Sequence, residues 1–304
     1  MSAPTAAPVA ASPAALLQAV LWMTGTLCMF TLGGVAAREL AHAGLSVFQI
    51  TFLRSIFAGV LLLPLIIRSG GRIARSSNVK LQVLRNLFHM SGSLGWYYGV
   101  GILPLATVVA LEFTTPLWLA LIAVLLLGEK MNTGRAIAMA LGFAGVLIIV
   151  RPGVVGLDFA SIVVLGAAAC YAGSHACAKY LSARDSVPTI LFYMVAVAST
   201  VTAIPAIVTW EPVSAWSWMW VCIMASTVIG AHSCLTRALR LADATVVIPM
   251  DFLRVPLTAA VGFLAYAEVV DPFLLVGTLV IFLGNFYSVR RERRAAPAAA
   301  GVAK

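Results

Sequence analysis

Residues 106–129 read ATVVALEFTTPLWLALIAVLLLGE, and residues 244–268 read ATVVIPMDFLRVPLTAAVGFLAYAE. Both stretches begin Ala-Thr-Val-Val, place an acid inside an apolar run, follow the acid with a proline and end on a second acid. Matching positions lie 138 to 140 residues apart, from Ala106 and Ala244 to Pro116 and Pro256. This repetition predicts two copies of a five-helix unit, which is typical of transporters whose site lies at the membrane midplane.

The composition places the chain in a membrane. Hydrophobic residues make up 62% of its 304 residues, charged residues make up 10%, and the mean hydropathy is +1.01. A soluble globule of this composition would expose most of its apolar surface to water. The apolar runs lack the alternating polarity of barrel strands and reach the roughly 17 to 25 residues of a membrane-crossing helix. The sequence therefore predicts an all-α integral membrane protein.

Ten transmembrane helices are predicted, in two sets of five. The first set is 16–37, 46–67, 84–102, 105–127 and 133–150, and the second is 159–178, 187–209, 216–239, 244–267 and 272–289. An odd number of helices per unit inserts the second copy upside down, so the repeats are inverted. The fifth segment is short, and nine helices is the alternative count. The predicted divisions are a disordered cytoplasmic leader 1–15, a first repeat 16–150, a second repeat 159–289 and a basic cytoplasmic tail 290–304.

The distribution of basic residues predicts the orientation. The net charge is +9, and with an inner amino terminus sixteen of the 20 Lys and Arg fall in inner loops or the tail. Only Arg38 and Arg151 fall in outer loops. This positive-inside bias predicts that both termini are cytoplasmic. The positive charge is thus a topology signal that suits anionic lipid headgroups, and no nucleic-acid partner is expected.

The sequence shows no arrangement of residues typical of catalysis or cofactor binding. Its five cysteines form no close zinc-ligating pair, and its four histidines are scattered. Neither a phosphate loop nor a nucleophile elbow is present. We therefore expect no enzyme activity, no cofactor and no metal site. A membrane-embedded enzyme and a non-transporting sensor are the alternative classes.

Charged residues inside the predicted helices are the main candidates for a substrate or proton pathway, because a charge in the bilayer is costly unless it is paired or hydrated. Glu112 and Arg54 lie seven and eight residues into helices that enter from the same side. Their depths are about 10 and 12 Å at 1.5 Å per residue, and we expect them to pair. The alternatives for Arg54 are a structural ion pair or a side chain that reaches toward the interface.

Asp251 is the counterpart of Glu112 in the second repeat. Arg254 follows it by three residues on the same helix face, so these two are predicted to pair directly. A neutralised pair of this kind is often structural, although it can also line a pathway. Glu112 has no such partner in its own helix, which makes it the leading candidate to meet a substrate amine or to exchange a proton.

Aromatic residues and histidines form a second group of candidates. Trp96 and Tyr97 can line an aromatic cavity, with anchoring at the membrane interface as the alternative. His89 and His175 lie in the inner halves of the third and sixth helices, where an imidazole can relay protons. Packing is the alternative for both histidines.

The repeated prolines and the terminal acids mark the ends and breaks of helices. Pro116 and Pro256 each remove a backbone hydrogen bond and are predicted to kink or break their helices at the site. Glu129 and Glu268 close the fourth and ninth helices at opposite faces. A structural role is favoured for these two acids, with gating or substrate contact as the alternative.

Residues 236–247, TRALRLADATVV, followed by Pro256 and Glu268, resemble the EamA family of the drug/metabolite transporter superfamily. The parallel stretch 98–109, followed by Pro116 and Glu129, carries the same resemblance, which extends over 16–291. It implies ten helices in two inverted repeats, a central cavity, alternating access and a plasma-membrane location. Members move amino acids, amines, sugars, cofactors or toxic metabolites, some inward and some outward. Residues 249–256, PMDFLRVP, are similar to a branch that includes importers of riboflavin and S-adenosylmethionine.

We therefore predict a secondary transporter of a small organic metabolite that works by alternating access. Its substrate is planar or zwitterionic, such as riboflavin or S-adenosylmethionine, and export of amino acids, amines or toxic metabolites is the alternative. The expected partners are this substrate and the lipid bilayer. A coupling ion such as H+ and a second copy of the chain in a homodimer are further candidates.

Overall fold

The computed structural model describes residues 13–126, 133–151, 158–181, 184–242, 247 and 250–301. Within these ranges the chain is helical and contains no strand, so the predicted all-α class is confirmed. The helices are α1 Pro13–His42, α2 Val47–Arg68, α3 Val79–Ile102, α4 Leu105–Glu112, α5 Thr115–Leu126, α6 Thr133–Val150, α7 Phe159–Leu181, α8 Val187–Val208, α9 Ala215–Leu241, α10 Arg254–Tyr266 and α11 Pro272–Gly301. Short 3-10 turns occupy Arg72–Ala74 and Asp251–Leu253.

Six segments of the described chain are long and apolar enough to cross a bilayer. They are Ala15–His42, Val47–Arg68, Leu105–Leu125, Phe159–Leu181, Val187–Val208 and Ala215–Leu241. Two shorter apolar helices, Ala136–Val150 and Pro272–Tyr287, accompany them. Helix α3 has 24 residues but is less apolar, because Lys80, Arg85 and Asn86 lie in its first half.

Serine caps begin two helices at matching positions of the repeated pattern. The Ser46 hydroxyl accepts a hydrogen bond from the Gln49 amide at the start of α2, and the Ser186 hydroxyl accepts one from the Thr189 amide at the start of α8. Each cap satisfies an amide that has no partner within the helix. The cap positions, 46 and 186, fix the register in which α2 and α8 correspond.

The helices pack in specific pairs. Helix α1 lies along α9, α3 along α7, α2 against α8, α6 against α11, and α4 against α10. The α6–α11 contact depends on Gly145 and Gly277, because a Cβ on either glycine would lie 2.6 Å from the other's carbonyl oxygen. Small residues at such contacts let helix backbones approach closely in a membrane.

The fourth and ninth predicted helices are interrupted near the repeated prolines. The fourth is interrupted at Phe113 and Thr114, between α4 and α5, and in the ninth the turn Asp251–Leu253 lies between Met250, which is helical, and α10. Pro116 is the second residue of α5 and Pro256 the third of α10. In the first turn of a helix the missing amide needs no partner, so each proline follows an interruption instead of kinking the middle of a helix.

Candidate functional site

Arg254 lies between two carboxylates at the interruptions of the fourth and ninth segments. Its Nη2 atom is 3.3 Å from Oε1 of Glu112 and 3.6 Å from Oδ2 of Asp251. The Arg254 side chain is 8% exposed, whereas those of Glu112 and Asp251 are 23% and 28% exposed. We call these three residues the acid–arginine cluster. The two acids are therefore partly exposed, whereas the arginine between them is buried.

The predicted pairing of Glu112 with Arg54 is wrong. Glu112 pairs with Arg254, because α4 ends at Glu112 and α10 begins at Arg254, and these two helix ends meet. Arg54 and Glu112 were paired because their estimated depths in the bilayer are similar. Depth, however, does not show which helices are neighbours. The predicted contact between Asp251 and Arg254 is present.

Trp96 holds the other oxygen of the Glu112 carboxylate. Its Nε1 donates a hydrogen bond to Oε2 of Glu112 at 2.9 Å, and its ring meets that of Tyr97 edge to face at 5.7 Å. Tyr97 is 5% exposed. Both aromatic residues thus face the interior beside the acid–arginine cluster, a position that does not suit a membrane-interface anchor.

Aromatic rings cover the cluster. Phe113 and Phe252 follow Glu112 and Asp251 in the sequence, and their rings stack with centroids 4.3 Å apart at 19°. The Arg254 guanidinium lies 4.9 Å from the Phe113 ring and 5.1 Å from the Phe30 ring, which stabilises the buried cation. Sequence reasoning did not select Phe30. Phe252 could have been found, because it occupies the position in the second repeat that Phe113 occupies in the first.

Arg54 lies on α2 beside Tyr97. It is 6% exposed, and its guanidinium is 5.8 Å from the Tyr97 ring. Among the ion pairs of the described residues, none involves Arg54.

The two candidate histidines lie on facing helices. The His89 ring on α3 is 5.4 Å from the Tyr171 ring on α7. His89 lies near the middle of α3, and His175 lies six residues before α7 ends at Leu181.

Glu268 forms a second buried ionic site, at the end of the bundle where α1 and α10 end. We call this end the Glu268 face. Arg38 Nη1 lies 2.6 Å from Glu268 Oε1, and the Leu105 amide donates to Glu268 Oε2 at 3.0 Å. Arg38 also donates to the carbonyl oxygens of Val100 and Leu103. The network joins α1, the α3–α4 junction and Glu268, the second residue after α10.

Arg38 was predicted to lie in a loop, and this is wrong. It lies within α1, four residues before the helix ends at His42, and it is 6% exposed. Sequence reasoning missed it because α1 continues five residues beyond the predicted end at 37. Glu129, the counterpart of Glu268 in the first repeat, lies outside the described residues.

A polar contact at the opposite end of the bundle joins the segment before α3 to the one before α8. Asp185 accepts hydrogen bonds from the Ser77 amide at 2.9 Å, from Gln82 Nε2 at 2.8 Å and from the Ser76 hydroxyl. Desolvation alone would raise the pKa of Asp185, but these hydrogen bonds outweigh it and hold the pKa at about 2. We call this end the Asp185 face.

A cavity of about 400 Å³ lies between α5, α6 and α7, beside the α4–α5 interruption. Its lining includes Thr114, Trp118 and Phe143 and contains no charged residue. The volume suits a small molecule. Because the lining offers no partner for a charged group, the acid–arginine cluster is the better candidate for the functional site.

Comparison with known proteins identifies the family. Residues 17–151 and 158–290 match the model of the EamA-like transporter family. The chain belongs to this family. The resemblance drawn from the sequence is therefore confirmed, and the chain is a multi-pass membrane protein of a transporter family.

Three relatives show the range of this family. A riboflavin transporter of Brucella anthropi is 30% identical, over 83% of this chain and 90% of its own length. An S-adenosylmethionine uptake transporter of Rickettsia prowazekii is 23% identical, over 91% of this chain and 94% of its own. A pseudopaline exporter of Pseudomonas aeruginosa is 29% identical, over 79% of this chain and 85% of its own.

A solved crystal structure shares the fold. It superposes with a TM-score of 0.61 at 14% sequence identity, and the match covers 91% of this chain and 98% of the other. This likeness concerns the fold alone.

Proposed function

We propose that this EamA-family member is a secondary transporter that moves a planar or zwitterionic metabolite across the plasma membrane by alternating access, without enzymatic chemistry. The observation that carries the proposal is the acid–arginine cluster. It places two partly exposed carboxylates and a buried guanidinium where helix α4 ends and helix α10 begins. Interrupted helices with charges inside a bilayer are the usual construction of a transporter site.

The packing supports ten membrane crossings in two inverted halves. In this assignment α4 with α5 forms the fourth crossing, and the turn Asp251–Leu253 with α10 belongs to the ninth. The contact of α1 with α9 then has its counterpart in the contact of α7 with α3. The pairs α2–α8, α6–α11 and α4–α10 each join corresponding helices, as a two-fold axis between the halves would produce. The family match in two successive segments supports the same division.

The positive-inside bias assigns the Glu268 face to the outside and both termini to the cytoplasm. In this state the Arg38–Glu268 pair ties α1, α4 and α10 together at the outer end. We assign Glu268 the role of an outer gate, because a site that faces each side in turn must separate these elements. Glu129 is the corresponding candidate for the inner gate.

The chemistry of the site suits the substrates named for two relatives. Trp96, which lies beside the cluster, offers a ring face to a planar group such as an isoalloxazine or an adenine. Glu112 offers a carboxylate to a cationic group, or exchanges a proton if transport is coupled to H+. The exporter among the relatives favours efflux of a metabolite as the second candidate function.

Uptake by proteoliposomes tests the proposal. The full chain is reconstituted, and the entry of labelled riboflavin and labelled S-adenosylmethionine is measured with and without an imposed pH gradient. We expect saturable uptake of at least one metabolite above that of protein-free vesicles. The contradictory result is uptake of riboflavin and of S-adenosylmethionine that increases linearly with concentration and equals that of protein-free vesicles in either orientation of the gradient. It would show that the proposed substrate class is wrong.

A further inference from the structure

Arg54 is a buried cation for which the described residues provide no counterion. The side chain shown beside its guanidinium is Tyr97 on α3, with the ring centroid 5.8 Å away, and none of the ion pairs of the described residues involves Arg54. An unpaired charge in a low-dielectric interior costs several kcal/mol. This cost needs an explanation that packing alone does not provide.

The fold does not need this arginine. The caps Ser46 and Ser186 align α2 with α8, and in that register Met194 is the counterpart of Arg54. Met194 is buried in α8 at 6% exposure, so a neutral side chain fills the equivalent place in the second half. Arg54 thus adds a charge to one half only.

A second polar group near Arg54 also lacks a partner. The hydroxyl of Ser55 is buried and makes no hydrogen bond, and the residue is 2% exposed. Arg54 and Ser55 both border a void of about 10 Å³ between α2, α8 and α9, close to the smallest space that holds a single water. The α2–α8 contact is therefore not fully packed at this level.

We propose that Arg54 binds an oxyanion of the transported metabolite, a carboxylate or a phosphate, in a subsite separate from the acid–arginine cluster. This inference rests on the proposed function. Guanidinium groups suit such oxyanions because they present parallel N–H donors. The cluster itself contains one more negative than positive charge, so it attracts the cationic part of a substrate. Opposite charges of one zwitterion thus have separate partners, Arg54 beside Tyr97 and the acids beside Trp96.

Pairs of ligands that differ in one anionic group test the subsite. The purified full chain is titrated with S-adenosylmethionine and with its decarboxylated analogue, and with riboflavin 5′-phosphate and riboflavin. We expect the wild type to bind the member with the oxyanion at least about tenfold more tightly, since a charge-assisted hydrogen bond of roughly 1.5 to 3 kcal/mol corresponds to tenfold or more in Kd. Arg54→Met, which copies the counterpart Met194, removes this preference and leaves binding of the member without the oxyanion unchanged.

The matched control is Arg68→Gln, which removes an exposed arginine from the carboxyl end of the same helix. It retains the preference. If Arg54→Met weakens both members of a pair equally, or keeps the wild-type preference, Arg54 does not bind the anion and the inference is overturned.

A separate measurement distinguishes this inference from the proposed substrates. If the wild type binds none of the four ligands, the proposed substrate class fails, and inorganic phosphate then tests the subsite directly. We expect phosphate at constant ionic strength to raise the Tm of the wild type saturably, because it binds only the folded state, and to leave the Tm of Arg54→Met unchanged. Equal shifts of Tm in both proteins would overturn the inference.

Discussion

Arg254 on α10 pairs with Glu112 on α4, with 3.3 Å between Nη2 and Oε1, and the two residues lie in different segments of the family match. The same guanidinium reaches Asp251 at 3.6 Å. One arginine thus serves the acids that correspond to each other in the two repeats, and the equivalent position of the first repeat holds no second arginine. This asymmetry gives the cluster its excess of negative charge.

Removal of this arginine is expected to destabilise the protein more than removal of the acid it pairs with. Arg254→Gln leaves two neighbouring carboxylates without a counterion, whereas Glu112→Gln leaves the Asp251–Arg254 pair in place. Loss of one partner of a buried pair costs about 3 to 5 kcal/mol, and the partial exposure of the acids lowers this to about 2 to 3 kcal/mol. Chemical unfolding in detergent measures the difference. The double variant Glu112→Gln/Arg254→Gln should recover part of the stability that Arg254→Gln loses. Strictly additive changes in the free energy of unfolding would show that Glu112 and Arg254 are not coupled.

Gly262 permits the Arg38–Glu268 contact. A Cβ at this position would lie 2.2 Å from Oε2 of Glu268, so Gly262→Ala must displace the carboxylate from Arg38 or from the Leu105 amide. We expect a loss of about 1 to 3 kcal/mol in the free energy of unfolding. We also expect greater reactivity of a cysteine introduced at Leu103 toward a membrane-impermeant thiol reagent. Gly166→Ala is the matched control, because its Cβ meets nothing within 4 Å. Equal behaviour of the two variants would contradict the role given to Glu268.

The Asp185 face predicts a dependence of stability on pH. The folded-state pKa of about 2 is lower than the ordinary value near 3.9, so Asp185 stabilises the fold above pH about 4, and this contribution is lost as pH falls through 2. The group is partly exposed, so screening limits the contribution to about 1 kcal/mol or less. The difference in Tm between wild type and Asp185→Asn should therefore shrink between pH 4 and pH 2. A constant difference over this range would show that the carboxylate charge does not matter.

The helix class and the family could be predicted from the sequence because they depend on local features. Apolar length predicts membrane helices, and the repeated pattern of acids and prolines predicts where two segments are interrupted. The partner of Glu112 could not be predicted, because the contact of α4 with α10 depends on tertiary packing between halves that are far apart in the chain. Arg38 was missed because helix ends are set by packing as much as by apolar length: a charged residue can continue a helix when Glu268 and two carbonyl groups satisfy it.

Counterflow in proteoliposomes tests most directly whether the acid–arginine cluster is a transport site. Vesicles that contain the full chain are loaded with unlabelled riboflavin or S-adenosylmethionine, and the transient accumulation of external label is followed without any ion gradient. The wild type should accumulate label, and Glu112→Gln, inserted in equal amount, should accumulate none, because the carboxylate that binds the substrate is lost. Accumulation by Glu112→Gln at the wild-type rate and with the wild-type KM would contradict the assignment of this cluster as the transport site.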